Sequence, residues 1–370
     1  MGFGDRGQIY ASYAQQAPDK MEIVGCVDPD PVRLNKAKEL YHLKEENCFI
    51  RPADFYAREK FSDAVINATM DSLHVQTTLP LLRKGYDVLL EKPVTSDPQA
   101  LLALADEAKR NGRVLMICHV LRYAPFYRKI KDRLLKGDLG RIEHIYCSEN
   151  VGIPHMLSSY VRGKWGSEKE CGSGMLMAKC CHDLDLINWF VGSLPSRVAS
   201  FGGRNFFIPE NEKLMEKYGK KTFCSWWDPH ALPSPFSGDT DLMDNSISIA
   251  EFRNEVRVMF MATMSNAMPE RRLYFSCSEG TMRLDLYAGK LYYRCIGGEG
   301  TIEVAIAGDG HGGGDNYIMK ELYETMTTGA KPKCSGNEGL ESAVYALALD
   351  EAARTKQIVD LEPVWKSLGR

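Results

Sequence analysis

The first 120 residues alternate short apolar segments with helical patterns, and this alternation limits the possible folds more than any other feature. Buried strands are predicted at 22–28, 63–69, 86–90 and 114–118. Amphipathic helical patterns lie at about 6–17, 31–41, 73–84 and 97–111. Near-continuous apolar strands separated by helices are typical of a parallel sheet covered on both faces. We therefore predict a doubly wound α/β domain over residues 1–120.

After residue 120 consecutive strands replace this alternation. Strands are predicted at 141–151, 196–203, 245–252, 256–265, 271–277, 280–286 and 289–295, and helices at 124–136, 174–191, 315–328 and 338–356. Consecutive strands indicate an antiparallel or mixed sheet, so residues 121–370 are expected to form an α+β domain. The stretch 206–243 lacks periodicity, and a loop of that length is usually functional or mobile.

Composition excludes two classes of partner. The formal net charge is −3 and the isoelectric point is near 6.3, which argues against a nucleic-acid or anionic-membrane binder. No apolar run approaches the roughly 18 residues of a transmembrane helix. Eleven cysteines lie scattered without a disulfide framework, as expected for reduced thiols in a cytoplasmic protein.

Glycines open the chain in the pattern Gly2-x-Gly4-x-x-Gly7, directly before a helical pattern. Glycine lets the backbone approach a pyrophosphate, which binds at the helix N-terminus. The next predicted strand ends in Asp28, near the spacing at which an acid binds ribose hydroxyls. Because Asp28 would repel a 2′-phosphate, this pattern favours NAD over NADP. The alternative is a glycine turn beside an acid at a strand end.

The same pattern normally follows a β-strand, and only Met1 precedes Gly2. Either the native start lies upstream of Met1 or the central strand is missing. We expect a chain extended upstream by roughly six to ten apolar residues to be more stable and to bind the cofactor more tightly.

A lysine follows the predicted strand at 86–90, in the sequence Glu91-Lys92-Pro93. Ligands of open parallel sheets bind beyond the carboxyl ends of the strands, so Lys92 is expected to face that crevice. Its ammonium group could stabilise a developing alkoxide, and the alternative is a solvated lysine in a turn.

The predicted helix at 174–191 carries Lys179, His182 and Asp183. Lys179 and His182 are three residues apart and would share one helix face. Histidine is the natural proton acceptor near neutral pH, so this face could bind a sugar hydroxyl and remove its proton. The alternatives are an amphipathic helix with a salt-bridged lysine, or a metal site that includes Cys180 and Cys181. The metal site lacks ligand spacing from elsewhere, so we expect none.

The sequence does not decide the function of two further motifs. Tyr160, Arg162 and Trp165 combine two aromatic rings with a guanidinium, which suits either a carbohydrate or a protein interface. The segment His311-Gly-Gly-Gly-Asp315 predicts a flexible turn with Asp315 capping the next helix, and a phosphate loop is the weaker alternative.

Taken together, these motifs resemble those of the glucose–fructose oxidoreductase, inositol dehydrogenase and MocA (Gfo/Idh/MocA) family. The resemblance rests on Gly2–Gly7, Asp28, the stretch 63–69 with His74, Glu91-Lys92-Pro93, Arg122-Tyr123-Ala-Pro125, the helix from His182 to Trp189, and Gly280-Thr281. It covers nearly the whole chain except the loop at 206–243. Glu-Lys-Pro is a more specific signal than the glycines.

The resemblance implies an N-terminal Rossmann domain that binds NAD, a C-terminal mixed-sheet domain, and a homodimer or homotetramer assembled through that sheet. It implies that substrates are sugars, polyols or their derivatives, and that Lys92 and His182 face the nicotinamide. We predict a catalytic set of Lys92, His182 and Lys179, in which Lys179 would help Lys92 to stabilise the alkoxide. The implied cofactor contacts are Gly2, Phe3, Gly4, Arg6, Gly7, Asp28, Ala68, Thr69, Leu73, His74, Glu91 and Lys92. The predicted substrate contacts are Arg122 and Tyr123, which belong to the resemblance, together with Tyr160, Arg162, Trp165 and Asp183 from the motifs above.

One position differs from the pattern of the family, which often has Asp four residues before the helix histidine. Here that residue is Ala178, which leaves the role of Lys179 open. Three functions are therefore considered. The first is an NAD-dependent dehydrogenase for a secondary hydroxyl of a sugar, glycoside or cyclitol. The second is NAD-dependent glycoside cleavage by oxidation, elimination and reduction, and the third is a non-catalytic ligand sensor.

Overall fold

The computed structural model describes residues 1–163, 165–224, 234–237, 240–304 and 309–370. It divides into an N-terminal unit, residues 1–125 with 309–340, and a C-terminal unit, residues 126–308 with 341–370. The segment 309–340, which follows the strands of the C-terminal unit in the sequence, groups with the N-terminal unit. There the backbone N–H of Ile117 donates a hydrogen bond to the carbonyl oxygen of Cys334 at 3.2 Å.

The N-terminal unit alternates strands and helices as predicted. Its strands are β1 (Cys26–Val27), β2 (Cys48–Phe49), β3 (Ala64–Asn67), β4 (Asp87–Leu90) and β5 (Leu115–Ile117). Its helices in this first segment are α1 (Asp5–Ala11), α2 (Tyr13–Gln16), α3 (Pro31–Tyr41), α4 (Pro52–Ala57), α5 (His74–Arg83) and α6 (Pro98–Arg110). Asp30 and Asp97 cap α3 and α6, and each cap is followed by proline at the first helical position, which favours helix initiation.

The parallel strands form two sheets, β1–β2 and β3–β4–β5. The backbone of Met1 and Gly2 joins them: the Met1 amino group donates to Ile66 O at 2.9 Å, and the Gly2 N–H donates to Val27 O at 2.8 Å. A cavity of about 720 Å³ is lined by residues of both β1 and β3. The strand predicted at 22–28 is shortened to Cys26–Val27, since only this end pairs with β2.

The C-terminal unit is built on a mixed sheet. Among the described residues its strands are β6 (Ile142–Gly152), β7 (Pro195–Gly203), β8 (Asn245–Phe252), β9 (Arg257–Asn266), β10 (Glu270–Cys277), β11 (Gly280–Asp285), β12 (Lys290–Cys295), β13 (Thr301–Val304) and, near the C-terminus, β14 (Val359–Asp360). They lie in the order β13-β12-β11-β10-β6-β9-β8-β7-β14. Most neighbours are antiparallel, and β6 pairs with β9 in parallel.

The remaining helices are α7 (Pro125–Leu135), α8 (Ile153–Met156), α9 (Glu168–Cys171), α10 (Met175–Ala178), α11 (Cys181–Val191), α12 (Lys213–Tyr218), α13 (Asp309–Gly312), α14 (Gly314–Thr328), α15 (Gly336–Thr355) and α16 (Glu362–Ser367). A π-helical turn occupies Leu157–Val161. No helix within the described ranges is long and apolar enough to cross a bilayer.

Candidate active site: a glycine-rich turn and a buried charge cluster

The glycine-rich turn packs directly against the end of β3. A Cβ atom on Gly7 would lie 2.0 Å from the carbonyl oxygen of Gly2, and one on Gly2 would lie 2.4 Å from that of Ala68. Both positions therefore require glycine. Gly4 precedes α1 in an extended conformation and provides no side-chain cap, so the first N–H groups of that helix have no capping side chain.

Asp28 lies at the end of β1 and is 2% exposed. Its carboxylate accepts hydrogen bonds from the backbone N–H groups of Phe3 at 2.6 Å and Asp30 at 2.9 Å. A carboxylate has about four acceptor positions, so it retains capacity for a further donor. Asp28 thus ties the glycine-rich turn to the sheet. Phe3 is buried in an apolar cluster with Ala11 and Leu34.

The carboxyl end of β4 carries Glu91, which links α1 to the following turn. Glu91 Oε1 accepts from Arg6 Nε at 2.8 Å and from the Tyr10 hydroxyl at 2.7 Å. Burial alone would raise the pKa of Glu91, but the positive charges of Arg6 and Lys92 hold it below its usual value. Arg6 also pairs with Asp315, so its guanidinium is committed to carboxylates of the same unit.

The backbone of Lys92 is held from both sides. Glu91 Oε2 accepts from the Lys92 backbone N–H at 2.8 Å, and the Lys92–Pro93 peptide bond is cis. On the other side, His74 Nδ1 lies 2.8 Å from the Pro93 carbonyl oxygen. The turn that bears Lys92 is therefore fixed by two buried side chains.

His74 also joins this turn to the end of β3. Its Nε2 lies 3.0 Å from the carbonyl oxygen of Thr69. The Thr69 hydroxyl donates to Asn67 Oδ1 at 2.9 Å, and the Ala68 N–H donates to Met1 O at 2.9 Å. Leu73, immediately before α5, is 38% exposed. The cofactor residues expected at 68–74 and 91–92 thus form one connected edge of the N-terminal unit.

Arg122 and Tyr123 were expected to contact substrate, and the structure places both inside the N-terminal unit. Arg122 is 5% exposed and donates from Nη1 to the Lys333 carbonyl oxygen at 3.2 Å. The Lys333 ammonium lies 5.9 Å from the centroid of the Tyr123 ring. Burial raises the pKa of Tyr123 well above its usual value.

The prediction of a single helix over residues 174–191 is wrong. The chain forms α10 and α11, separated by a turn at Lys179 and Cys180. The Cys180 N–H still bonds back to Leu176 O, whereas the next helix begins with bonds to the carbonyl oxygen of Cys180 itself. Lys179 and His182 are therefore not on one continuous helix face. His182 lies in the first turn of α11 and is 6% exposed.

Lys179 and Asp183 belong to a buried charge cluster completed by Glu149 of β6 and Arg271 of β10. Lys179 Nζ lies 3.2 Å from Glu149 Oε1. Arg271 Nε lies 2.5 Å from Glu149 Oε2 and 2.9 Å from Asp183 Oδ1. His155 Nε2 lies 3.4 Å from Lys179 Nζ. Asp183, which is predicted to contact the substrate, thus forms an ion pair with Arg271.

The two carboxylates of this cluster differ in their titration. Burial raises the pKa of Asp183 to about 7, against the opposing charge of Arg271. Burial would also raise the pKa of Glu149, but Arg271 and Lys179 hold it below its usual value. A carboxyl group whose pKa is raised by burial beside a fixed positive charge is a common feature of catalytic sites.

Sequence reasoning missed Glu149 and Arg271. Glu149 stands in the sequence Ser148-Glu149-Asn150, within a fully buried part of β6. A charged residue inside a buried strand was the available signal, since such a residue needs an ionic partner.

Tyr160, Arg162 and Trp165 lie in and after the π-helical turn. The rings of Tyr160 and Trp165 have centroids 6.0 Å apart and are tilted by 39°. The Tyr160 hydroxyl donates to the Ala178 carbonyl oxygen at 3.4 Å, and Arg162 and Trp165 are half-buried. The structure thus brings these aromatic residues beside the turn that carries Lys179.

Comparison with known proteins matches both halves of the chain. Residues 1–119 match an oxidoreductase family with an NAD-binding Rossmann fold, and residues 127–283 match the Gfo/Idh/MocA C-terminal domain. YteT of Bacillus subtilis, named as an oxidoreductase, is 26% identical over 93% of this chain and 91% of its own. The 1,5-anhydro-D-fructose reductase of Ensifer adhaerens is 22% identical over 81% of this chain and 80% of its own.

Solved structures share the fold across both units. An oxidoreductase domain protein from Kribbella flavida aligns with a TM-score of 0.79 at 16% identity, covering 97% of each chain. The WlbA dehydrogenase from Bordetella pertussis, solved with NADH and UDP-GlcNAcA, aligns with a TM-score of 0.74 at 19% identity, also covering 97% of each chain. At these identities the structural match establishes the fold alone.

Proposed function

Because this chain belongs to the Gfo/Idh/MocA family of oxidoreductases and its N-terminal domain is an NAD-binding Rossmann fold, we propose that it oxidises a secondary hydroxyl of a sugar, glycoside or cyclitol with NAD. The observation that carries the proposal is the fixed turn at Lys92. Glu91 and His74 hold its backbone at the carboxyl end of β4, where open parallel sheets bind ligands.

The residues of the N-terminal unit fit a dinucleotide. The uncapped start of α1 after Gly4 offers backbone N–H groups to a pyrophosphate. Asp28 retains acceptor capacity for ribose hydroxyls, and its charge would repel a 2′-phosphate, which favours NAD over NADP. When bound, NAD supplies the hydride acceptor.

Two side chains would act on the substrate hydroxyl. His182 takes its proton, and Lys92 stabilises the negative charge that develops on the oxygen. Lys179 is paired with Glu149, so its contribution is to the charge balance beside His182. Tyr160 and Trp165, with Arg162, would bind the sugar ring through aromatic faces and hydroxyl contacts.

The test is NAD reduction by the purified protein against a panel of sugars, glycosides and inositols. Lys92→Met and His182→Ala should each lower turnover by about 100-fold or more while NAD affinity changes by only a few-fold. Near-normal turnover of either variant would remove that residue from its role. Product formed without accumulating NADH would instead indicate glycoside cleavage. Tight NAD binding with no turnover would indicate a sensor.

We further propose that the face of the mixed sheet that bears the exposed Ile247 and Ile249 joins two copies of this chain. At one end of β7 and β8, buried positions carry serine and exposed positions of β8 carry isoleucine, the reverse of the usual arrangement. The hydroxyls of Ser200, Ser246 and Ser248 are buried and bond one another at 2.9–3.2 Å, whereas Ile247 and Ile249 are 52% and 57% exposed. Large exposed apolar patches mark protein interfaces, and a second copy offers the same patch in return.

The proposed location is the cytoplasm, a reducing compartment. No disulfide joins any of the eleven cysteines, all of which lie in described parts of the chain, and eight of them are buried.

A further inference from the structure

The motif from His311 to Asp315 does not form the predicted capped turn. The N-cap of α14 is Gly313, and Asp315 lies inside the first turn without capping it. A Cβ atom on Gly314 would lie 2.2 Å from the carbonyl oxygen of Val120. Glycine at 314 therefore allows the start of α14 to press against the turn that follows β5, within the N-terminal unit.

This close approach brings Asp315 onto Arg6, in the first turn of α1. Arg6 Nη1 donates to Asp315 Oδ2 at 3.4 Å, and Arg6 Nη2 pairs with Oδ1. His311 is a second neighbour of the carboxylate, and its Nδ1 lies 3.5 Å from Oδ2. Although burial opposes it, the contacts with His311 and Arg6 lower the pKa of Asp315 to about 2, so it is charged at neutral pH.

The contacts continue from Arg6 to Lys92. Arg6 Nε donates to Glu91 Oε1, and Glu91 Oε2 accepts from the Lys92 backbone N–H, both at 2.8 Å. A planar guanidinium can hold two carboxylates in a fixed geometry. The position of Glu91, and through it the turn bearing Lys92, therefore depends on the second carboxylate that anchors Arg6.

We propose that Asp315 is a positioning residue for Lys92, acting through Arg6 and Glu91; its catalytic consequence rests on the dehydrogenase function proposed above. Asp315 contacts Arg6 and His311, and its effect on Lys92 is therefore argued through Arg6. It restrains Arg6, and Arg6 restrains the carboxylate that holds the Lys92 backbone. A misplacement of roughly 1 Å at a catalytic group can cost about 100-fold in rate, so a loosened anchor should affect turnover.

Asp315→Asn removes the charge while keeping the shape. We expect kcat to fall by about tenfold and the KM for NAD to change by less than about threefold. The matched control is Glu324→Gln, which removes an exposed carboxylate farther along α14 and should leave kcat unchanged.

Repeating the substitution in the Lys92→Met variant separates an effect on the position of Lys92 from a general loss of structure. If Asp315 acts through Lys92, adding Asp315→Asn to Lys92→Met should lower kcat no further. An equal loss in both backgrounds would overturn the proposal, as would an unchanged kcat in the single variant.

An activity-independent measurement separates this proposal from the proposed function. Amine methylation at each lysine is followed by peptide mass spectrometry, with exposed Lys320 as the internal reference. Asp315→Asn should change the rate at Lys92 by at least about threefold and leave Lys320 unchanged. Arg6→Lys, which cannot bridge both carboxylates, should do the same and serves if the first variant does not fold.

Unchanged labelling of Lys92 in the folded variant would overturn the proposal even in an active enzyme. If the wild type transfers no hydride to any substrate while labelling at Lys92 changes as expected, the dehydrogenase function fails. The structural link from Asp315 to Lys92 would then stand without a catalytic role.

Discussion

Replacing Arg271 with methionine tests whether the buried charge cluster stabilises the C-terminal unit. The variant removes the cation that contacts Glu149 and Asp183, which are 1% exposed each, and leaves Lys179 as the remaining cation beside Glu149. Removing one partner of a buried ion pair costs about 3–5 kcal/mol, because the remaining charge is desolvated and uncompensated. We expect a loss of this size at pH 8.5.

The loss should depend on pH because Asp183 can take up a proton. Its pKa is raised to about 7 in the folded protein, above the unfolded value near 3.8, so its stabilising contribution is complete below pH 3.8 and is lost as the pH rises through 7. Without Arg271 this pKa rises further, and folding of the variant above pH 7 requires an added proton. At about 1.4 kcal/mol per pH unit, the variant should lose about 2 kcal/mol more at pH 8.5 than at pH 7.

Urea unfolding followed by tryptophan fluorescence measures this directly. All five tryptophans, at positions 165, 189, 226, 227 and 365, fall within the sequence ranges of the C-terminal unit, although 226 and 227 lie outside the described residues. The matched control is Arg272→Met, the next residue of β10, whose exposed side chain pairs with Glu270 and Asp285. It should cost less than about 1 kcal/mol and show no such pH dependence.

A rescue variant completes the test. Asp183→Asn added to Arg271→Met removes the second carboxylate and should recover most of the pH-dependent loss. If Arg271→Met costs less than about 1 kcal/mol at pH 8.5, or costs the same at pH 5.5 and 8.5, the argument from the cluster is refuted.

Three further predictions concern Asp28 beside the glycine-rich turn, the cavity lined by β1 and β3, and the sheet face that bears Ile247 and Ile249. Asp28→Ala should raise the Kd for NAD, measured by calorimetry, by about tenfold or more, and should reduce the preference for NAD over NADP. An unchanged Kd would contradict the proposed contact between Asp28 and the ribose. An extension of six to ten apolar residues directly before Met1 should form a strand that fills part of the 720 Å³ cavity, and it should raise the melting temperature. A Gly/Ser extension of equal length should not. Equal melting temperatures for the two extended chains would exclude binding of a strand in the cavity. Ile249→Lys should lower the molecular mass of the assembly measured by light scattering. The control is Ile296→Lys, at a position that follows β12 and is 80% exposed, and it should leave the mass unchanged. An unchanged mass for Ile249→Lys would exclude the sheet face that bears Ile247 and Ile249 as the interface.

The sequence alone determined the fold class, because each element carries its own local signal. The periodicity at 31–41 and 97–111 predicted α3 and α6 within one or two residues, since capping aspartates and prolines fix where those helices begin. The glycine spacing predicts a tight turn for a similar reason: close backbone approach leaves no room for a side chain at Gly2 or Gly7. Glu91-Lys92-Pro93 is recognisable as a motif from the sequence alone.

The tertiary structure decided how charges pair across distant parts of the chain. Asp315 lies 309 residues from Arg6, and Arg271 lies 88 residues from Asp183, so no local pattern joins them. The break at Lys179 was equally invisible, because the sequence around it is compatible with a continuous helix. Periodicity specifies local backbone conformation, whereas the free energy of a buried charge depends on which partner the fold brings beside it.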